Sequence, residues 1–159
     1  MKEMRVGHGY DVHKLEAGDG VTLGGVKIAC PYRVIAHSDG DVLIHALCDA
    51  ILGAVGMGDI GRWFPDTDAR FRGIDSRVLL REVQQKVGAT WRVGNADLTL
   101  IAQEPKVSMY VQSMCMALAR DLRMQPEFIN VKATTGEGLG YIGRVEGIAA
   151  HASVLLIKY

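Results

Sequence analysis

Asp11, His13 and His45 are the residues whose types and spacing could do chemistry. If residues 4–13 form a strand, its twofold repeat turns Asp11 and His13 toward the same face. His45 lies in the run Asp41-Val-Leu-Ile-His45-Ala-Leu-Cys-Asp49, whose apolar spacing predicts a helix carrying His45 inward near its first turns. A carboxylate and two imidazoles suit zinc. Three protein ligands instead of four leave a coordination position for water or substrate, as in catalytic zinc sites. The plain alternative is a chance D-x-H pattern and a hydrogen-bonded core histidine on an apolar helix. Against it stands His37-Ser38-Asp39-Gly40-Asp41, which crowds acids beside His45 and needs a counter-charge.

A second chemical segment is Lys132-Ala133-Thr134-Thr135-Gly136-Glu137-Gly138-Leu-Gly140. It leaves a predicted strand for a glycine-rich turn whose hydroxyls and backbone N–H groups could cradle phosphate oxygens. The Gly-Lys-Ser/Thr ending of nucleotide-triphosphatase loops is missing, so an ordinary turn is the competing reading. Glu137 makes sense beside phosphates only with a divalent cation between them. Pro105 suits the first turn of a helix, which would put Lys106 and free helix N–H groups around an anion. Residues 59–68 mix acids with aromatics and show no periodicity, and read as a loop with functional content.

The elements that must position these residues alternate. After the first strand, Gly24-Gly25 joins two short β-forming runs as a hairpin. Helices are expected over 41–55, from a cap at Asp75 or Ser76 to Val87, and from Pro105 to about Leu122. The second would bury Val78, Leu79, Val83 and Val87, with a Glu82/Lys86 pair outside. The third would bury Val107, Val111, Met114, Leu118 and Leu122. Its methionines Met109, Met114 and Met116 read as gap-filling or interface residues. Strands are expected over 91–103, 128–134 and 147–157, so residues 93–134 form a β-α-β unit. The expected fold is α/β (α+β), one domain over 1–159, with a mixed sheet of four or more strands and helices packed on one face. The last strand, apolar on both sides, would leave the other sheet face needing cover.

Composition narrows the function classes. Eighteen basic and eighteen acidic side chains cancel, which argues against a nucleic-acid partner. Three widely spaced cysteines argue against a disulfide framework and for reduced, structural thiols. No apolar run is long enough to span a bilayer, so no membrane partner is expected. Met1 runs almost directly into the first strand, which fits a cytoplasmic bacterial protein, or a plastid one whose transit peptide was removed.

Taken together, Gly7-His-Gly-Tyr-Asp-Val-His13, Ala36-His-Ser-Asp-Gly-Asp41 with His45, Gly58-Asp-Ile-Gly61 with Phe64-Pro-Asp-Thr-Asp68, Ala102-Gln-Glu-Pro-Lys106, and Val131-Lys-Ala-Thr-Thr135 with Glu137 are five motifs in one order. They resemble the 2-C-methyl-D-erythritol 2,4-cyclodiphosphate synthase family, and the likeness runs from end to end. The resemblance implies an enzyme of the non-mevalonate isoprenoid pathway that closes a cyclic diphosphate and releases CMP. It implies that Asp11, His13 and His45 hold Zn2+ and that Glu137 places Mg2+ or Mn2+ between the substrate phosphates. His37 and Thr135 resemble the transition-state stabilisers. His37, Ser38, Asp59, Ile60, Gly61, Phe64, Pro65, Asp66, Thr67 and Asp68 would meet the substrate, with Tyr141 and Arg144. Ala102, Pro105, Lys106, Val107, Ser108, Ala133, Thr134 and Thr135 would frame the cytidine nucleotide. Family likeness also implies a homotrimer with sites between subunits, its sheets facing a threefold axis. An axial cavity near His8, Tyr10, Tyr141 and Arg144 could take an isoprenoid diphosphate. Gly136 departs from the family's usual threonine, which questions one hydroxyl contact. The rivals are a zinc phosphohydrolase, with metal-bound water as nucleophile, and a metal-stabilised binding module without turnover.

Overall fold

The computed structural model describes residues 2–159. Its frame is β1 (Met4–Ala17), a strand long enough to pair with two neighbours. Its first part runs antiparallel to β7 (Gly147–Lys158), and its last part runs antiparallel to β4 (Tyr32–Ile35). Beyond β7 come β5 (Trp91–Ile101), antiparallel to it, and β6 (Ile129–Thr134), parallel to β5. The five-stranded order is therefore β4-β1-β7-β5-β6, and β2 (Val21–Leu23) and β3 (Val26–Ile28) form a separate ribbon around Gly24-Gly25. β4 was not expected from its sequence. Four residues behind Pro31 carry little alternation, and only the overlong β1 gives them an edge to join.

Helix α1 (Val42–Ala54) lies on β1 and β7 and buries nearly every residue except Asp49 and Gly53. The contact is close because β1 offers glycines beneath it. A Cβ on Gly9 would stand 1.8 Å from the Ala46 carbonyl oxygen, and one on Gly7 would stand 1.9 Å from that of Ala50. Asp41 caps the helix by accepting from the Ile44 N–H, and it also accepts from Gly24 and Gly25 at 2.9 and 2.7 Å. One buried carboxylate thus joins the ribbon to the start of α1. Helix α3 (Ser76–Val87), capped by Asp75, packs on α1 and on α4 (Val111–Leu122). Arg77 and Arg81 of α3 pair with the buried Asp121 of α4.

Several expectations need correction. In α3 the buried stripe is Leu79, Leu80, Val83 and Val87, and Val78 is only half-buried. Lys86 lies over the Trp63 ring at 4.3 Å and not against Glu82. The segment after Asp59 is not wholly irregular: α2 (Ile60–Trp63) and a 3-10 turn at Ala69–Phe71 interrupt it. Pro105 does not open a helix. The Glu104–Pro105 bond is cis, a 3-10 turn spans Ser108–Tyr110, and α4 begins only at Val111. Met114 is core, whereas Met109 and Met116 are exposed. β7 is not apolar on both sides. Ile148, Ala150, Ala152, Val154 and Leu156 are buried on the helix side, while His151 and Ser153 are exposed on the other. The β5-α4-β6 unit and the hairpin are as expected.

Candidate metal centre and substrate pockets

Strand β1 turns Asp11 and His13 to the side where α1 lies, and α1 brings His45 over them. Asp11 Oδ2 is 2.9 Å from His13 Nε2 and 3.0 Å from His45 Nδ1, and the two nitrogens are 3.1 Å apart. Donors about 2.0–2.1 Å from a tetrahedral ion lie roughly 3.3 Å from one another. The triangle therefore fits one zinc-sized ion with a slight opening. Among the described residues it is the one cluster of three such ligand atoms.

The hydrogen bonds behind His45 decide which nitrogen faces the centre of the triangle. The Ser76 hydroxyl donates to Asp39 Oδ1, so its oxygen is left to accept. His45 Nε2 lies 2.9 Å from that oxygen and 3.1 Å from Ser38 Oγ. Proton on Nε2 and lone pair on Nδ1 is the arrangement that satisfies these contacts, and Nδ1 is the atom in the triangle. Asp39 is fixed in turn by the N–H groups of Ser76 and Asp41. The acids before α1 thus orient a ligand. Ser76, fully buried at the start of α3, was not identified from sequence, since only the fold brings it to His45.

Electrostatics support the same assignment. Burial works to raise the Asp11 pKa, but hydrogen bonds and charge from His13 and His45 outweigh it and hold the group at about 2. Burial works to lower that of His45, while Asp11, with help from Asp41 and Asp39, draws it above its usual value. A centre that attracts protons this way attracts a dication in their place.

A cavity of about 430 Å³ opens on the triangle. Asp11, His13, His37, Ser38, His45, Ile60, Gly61, Phe64 and Asp66 are on its wall. Asp59 and Asp68 are not: they cap α2 and the following 3-10 turn, and Asp68 also binds Arg70. Pro65 and Thr67 are likewise outside that wall. Asp49 Oδ1 anchors the segment by accepting from Ile60 N–H at 2.8 Å, and Phe64 and Phe71 meet edge to face.

A second cavity, of about 280 Å³, is lined by Ala102, Pro105, Lys106, Val107, Ser108, Val111, Ala133, Thr134 and Thr135. It shares no wall residue with the first. Lys106 is held by the Gln103 carbonyl at 3.2 Å and does not sit on a helix N-terminus. Glu137 is exposed in the turn, at φ 52°, with its N–H on Thr135 Oγ1; it is not part of the Asp11 cluster. At Gly136 a Cβ would stand 3.0 Å from Ile142 Cβ and the Gly143 nitrogen, so the departure from threonine coincides with tight packing. On the uncovered sheet face the Tyr10 and Tyr141 hydroxyls meet at 3.2 Å, and Arg144 pairs with Glu146.

A group of three side chains able to hold a metal, opening on a cavity in an α/β domain, is the kind of site that metal-binding enzymes carry. The chain belongs to the YgbB family, whose model matches residues 4–157. It is 59% identical to the 2-C-methyl-D-erythritol 2,4-cyclodiphosphate synthase of Azotobacter vinelandii, over 97% of this chain and 99% of that protein. It is 58% identical to that of Pseudomonas putida, again over 97% and 99%. A solved synthase described as the CDP-bound form superposes with a TM-score of 0.87 at 41% identity, covering 96% of this chain and 99% of the other. The IspF CDP complex of Plasmodium falciparum gives 0.87 at 37%, covering 99% and 98%. The resemblance carried by the five motifs is borne out. No helix among the described residues is long and apolar enough to cross a membrane.

Proposed function

We propose that the chain converts 4-diphosphocytidyl-2-C-methyl-D-erythritol 2-phosphate into 2-C-methyl-D-erythritol 2,4-cyclodiphosphate and CMP. The observation that carries this reading is the Asp11, His13 and His45 triangle with its open side on the larger cavity. In the reaction an oxygen of the 2-phosphate attacks the β-phosphorus of the diphosphate. The bond from that phosphorus to the oxygen bridging the α-phosphorus breaks, and CMP leaves with the electron pair. The attacking phosphate is already ionised, so no general base is needed, and catalysis reduces to positioning and charge stabilisation.

Asp11, His13 and His45 would hold zinc, which supplies Lewis-acid contact to phosphate oxygens when bound. Glu137 would hold Mg2+ or Mn2+, which would supply charge neutralisation to the diphosphate of the substrate. Its exposure and its isolation from other ligands suit a cation whose remaining partners come from substrate and water. His37, Ser38, Ile60, Gly61, Phe64 and Asp66 enclose the methylerythritol phosphate, and His37 and Thr135 donate to the phosphates as charge shifts. The residues from Ala102 to Ser108, with Ala133, Thr134 and Thr135, receive the cytidine nucleotide; their separate cavity supports this.

The two half-sites lie apart in one chain, and the uncovered sheet face exposes Val6, Tyr10 and Val12. Both features support a homotrimer in which one subunit's metal half meets its neighbour's nucleotide half. Tyr10, Tyr141 and Arg144 then border an axial cavity able to take an isoprenoid diphosphate. Incubation with the cytidylyl substrate, followed by phosphorus NMR, tests the proposal. Cyclic diphosphate and CMP in equal amounts are expected. A linear phosphate product would make the protein a hydrolase, and binding without conversion would make it a binding module.

A further inference from the structure

The uncovered face of the sheet holds a pair of metal-ligand side chains that the proposed reaction does not use. His8 on β1 and His151 on β7 are both exposed, and His8 Nε2 lies 3.0 Å from His151 Nδ1. The strand register explains the approach: His151 is opposite Tyr10, and His8 is opposite Ser153, so the two imidazoles are diagonal neighbours on one face. The Tyr10 ring packs against His151 with centroids 4.9 Å apart, and the Tyr10 hydroxyl is tied to Tyr141. His151 is thereby braced, and both backbones belong to paired strands of a rigid sheet.

We propose that His8 and His151 form a second divalent-metal site, selective for cations that favour imidazole, such as zinc, copper or nickel. Nitrogens about 2.0–2.1 Å from an ion are roughly 3 Å apart when they occupy neighbouring coordination positions. The observed separation already meets that requirement. Without an ion, one of the facing nitrogens must carry the proton that the pair shares. Binding moves that proton, through water, to the other nitrogen of the same ring, so that each imidazole stays neutral and offers the metal a lone pair from its facing nitrogen. Asp97 is separated from His8 by the Ser153 position of β7 and is held by Lys132 at 2.5 Å, and among the described residues no carboxylate joins the two imidazoles in a group of three ligand atoms. The remaining positions stay open to water or an anionic ligand. If the trimer of the preceding section forms, three such pairs face the axis. The site itself needs only one chain.

Zinc is the probe. Metal-stripped protein is titrated with it, and bound metal is counted by elemental analysis after dialysis. More than one zinc per chain is expected for the wild type. His8→Ala and His151→Ala should each lose the excess and keep the first ion, whereas His45→Ala should lose the first and keep the excess. Proton NMR should show the imidazole signals of His8 and His151 shifting only in the second binding phase. Saturation of the wild type at one zinc per chain, or an excess that survives both substitutions, would overturn the site. Neither result would touch the proposed reaction, whose metal is read separately by the His45 variant.

Discussion

Replacing Gly9 by alanine tests whether the close approach of α1 to β1 builds the metal centre. The new Cβ would stand 1.8 Å from the Ala46 carbonyl oxygen and 2.8 Å from the Ala50 nitrogen, both of them helix backbone that no rotamer change can move. Carbon–oxygen contacts settle at about 3.3 Å or more, so α1 must retreat on the order of 1.5 Å. His45 immediately precedes Ala46 and would move with it. Metal ligands tolerate displacements of only about 0.2 Å, so the triangle of 2.9, 3.0 and 3.1 Å would open beyond use. Overpacking of this kind costs about 1–3 kcal/mol, and the backbone clash places Gly9→Ala at about 3 kcal/mol or beyond. Zinc affinity should fall by more than the roughly 100-fold that loss of an orienting partner causes.

Urea denaturation of the metal-free protein would give the first quantity, and zinc competition against a chelator the second. Gly53→Ala is the control. That glycine lies in the same helix with nothing within 4 Å of its added Cβ, and the change should stabilise by about 0.5–1 kcal/mol. A Gly9→Ala protein with unchanged midpoint and unchanged zinc affinity would refute the reasoning, because the helix could then sit elsewhere without consequence.

Other outcomes follow from single contacts. Ser76→Ala removes an acceptor from His45 Nε2 in a fully buried position, so zinc should bind about 10–100-fold more weakly while the circular dichroism spectrum holds. Arg77→Ala leaves the buried Asp121 to Arg81 alone and should cost about 2 kcal/mol in urea denaturation. Burial pushes the Asp41 carboxyl up to about 6, against the three backbone N–H groups that favour its charged form. The unfolded chain releases that proton near 3.8, so folded protein binds more protons between about 4 and 6, and stability should fall as pH rises through that window. Asp41→Asn should flatten the slope; an unchanged profile in the variant would place the titration elsewhere.

Local periodicity made most of the frame legible. β1, α3, β5 and β6 each repeat their buried residues at the spacing of the element, whereas α1 is buried almost all round; the alternation of β1 and the helix over 41–55 allowed Asp11, His13 and His45 to converge, and their ligand chemistry singled them out. What escaped depended on partners distant in the chain. Tyr32–Ile35 becomes a strand because β1 overhangs β7. Pro105 looked like a helix start because its fixed φ suits one, yet the cis bond and the turn that follows delay the helix to Val111. Ser76 carried only the signature of a helix cap, and its role appears once α3 crosses the Asp39 loop. His151 sat in an apolar run that offered no reason to single it out.

Strand β1 shows why position along the chain matters as much as residue type. Its helix-facing side reads Gly7, Gly9, Asp11, His13. The register against α1 runs in reverse, with Gly7 under Ala50 and Gly9 under Ala46. Two residues without side chains let the helix descend, and the next two supply ligands where His45 arrives. Side chains at 7 and 9 would lift the helix and separate three correctly chosen ligands. The opposite side of the same strand reads Val6, His8, Tyr10, Val12, all of it left uncovered within one chain. A single alternation therefore directs one face to the metal centre, while the other presents apolar surface and an imidazole that His151 meets. A one-residue slip of β1 against β7 would exchange the faces, which is why the long antiparallel pairing from Met4 to Lys14 matters to function as well as to stability.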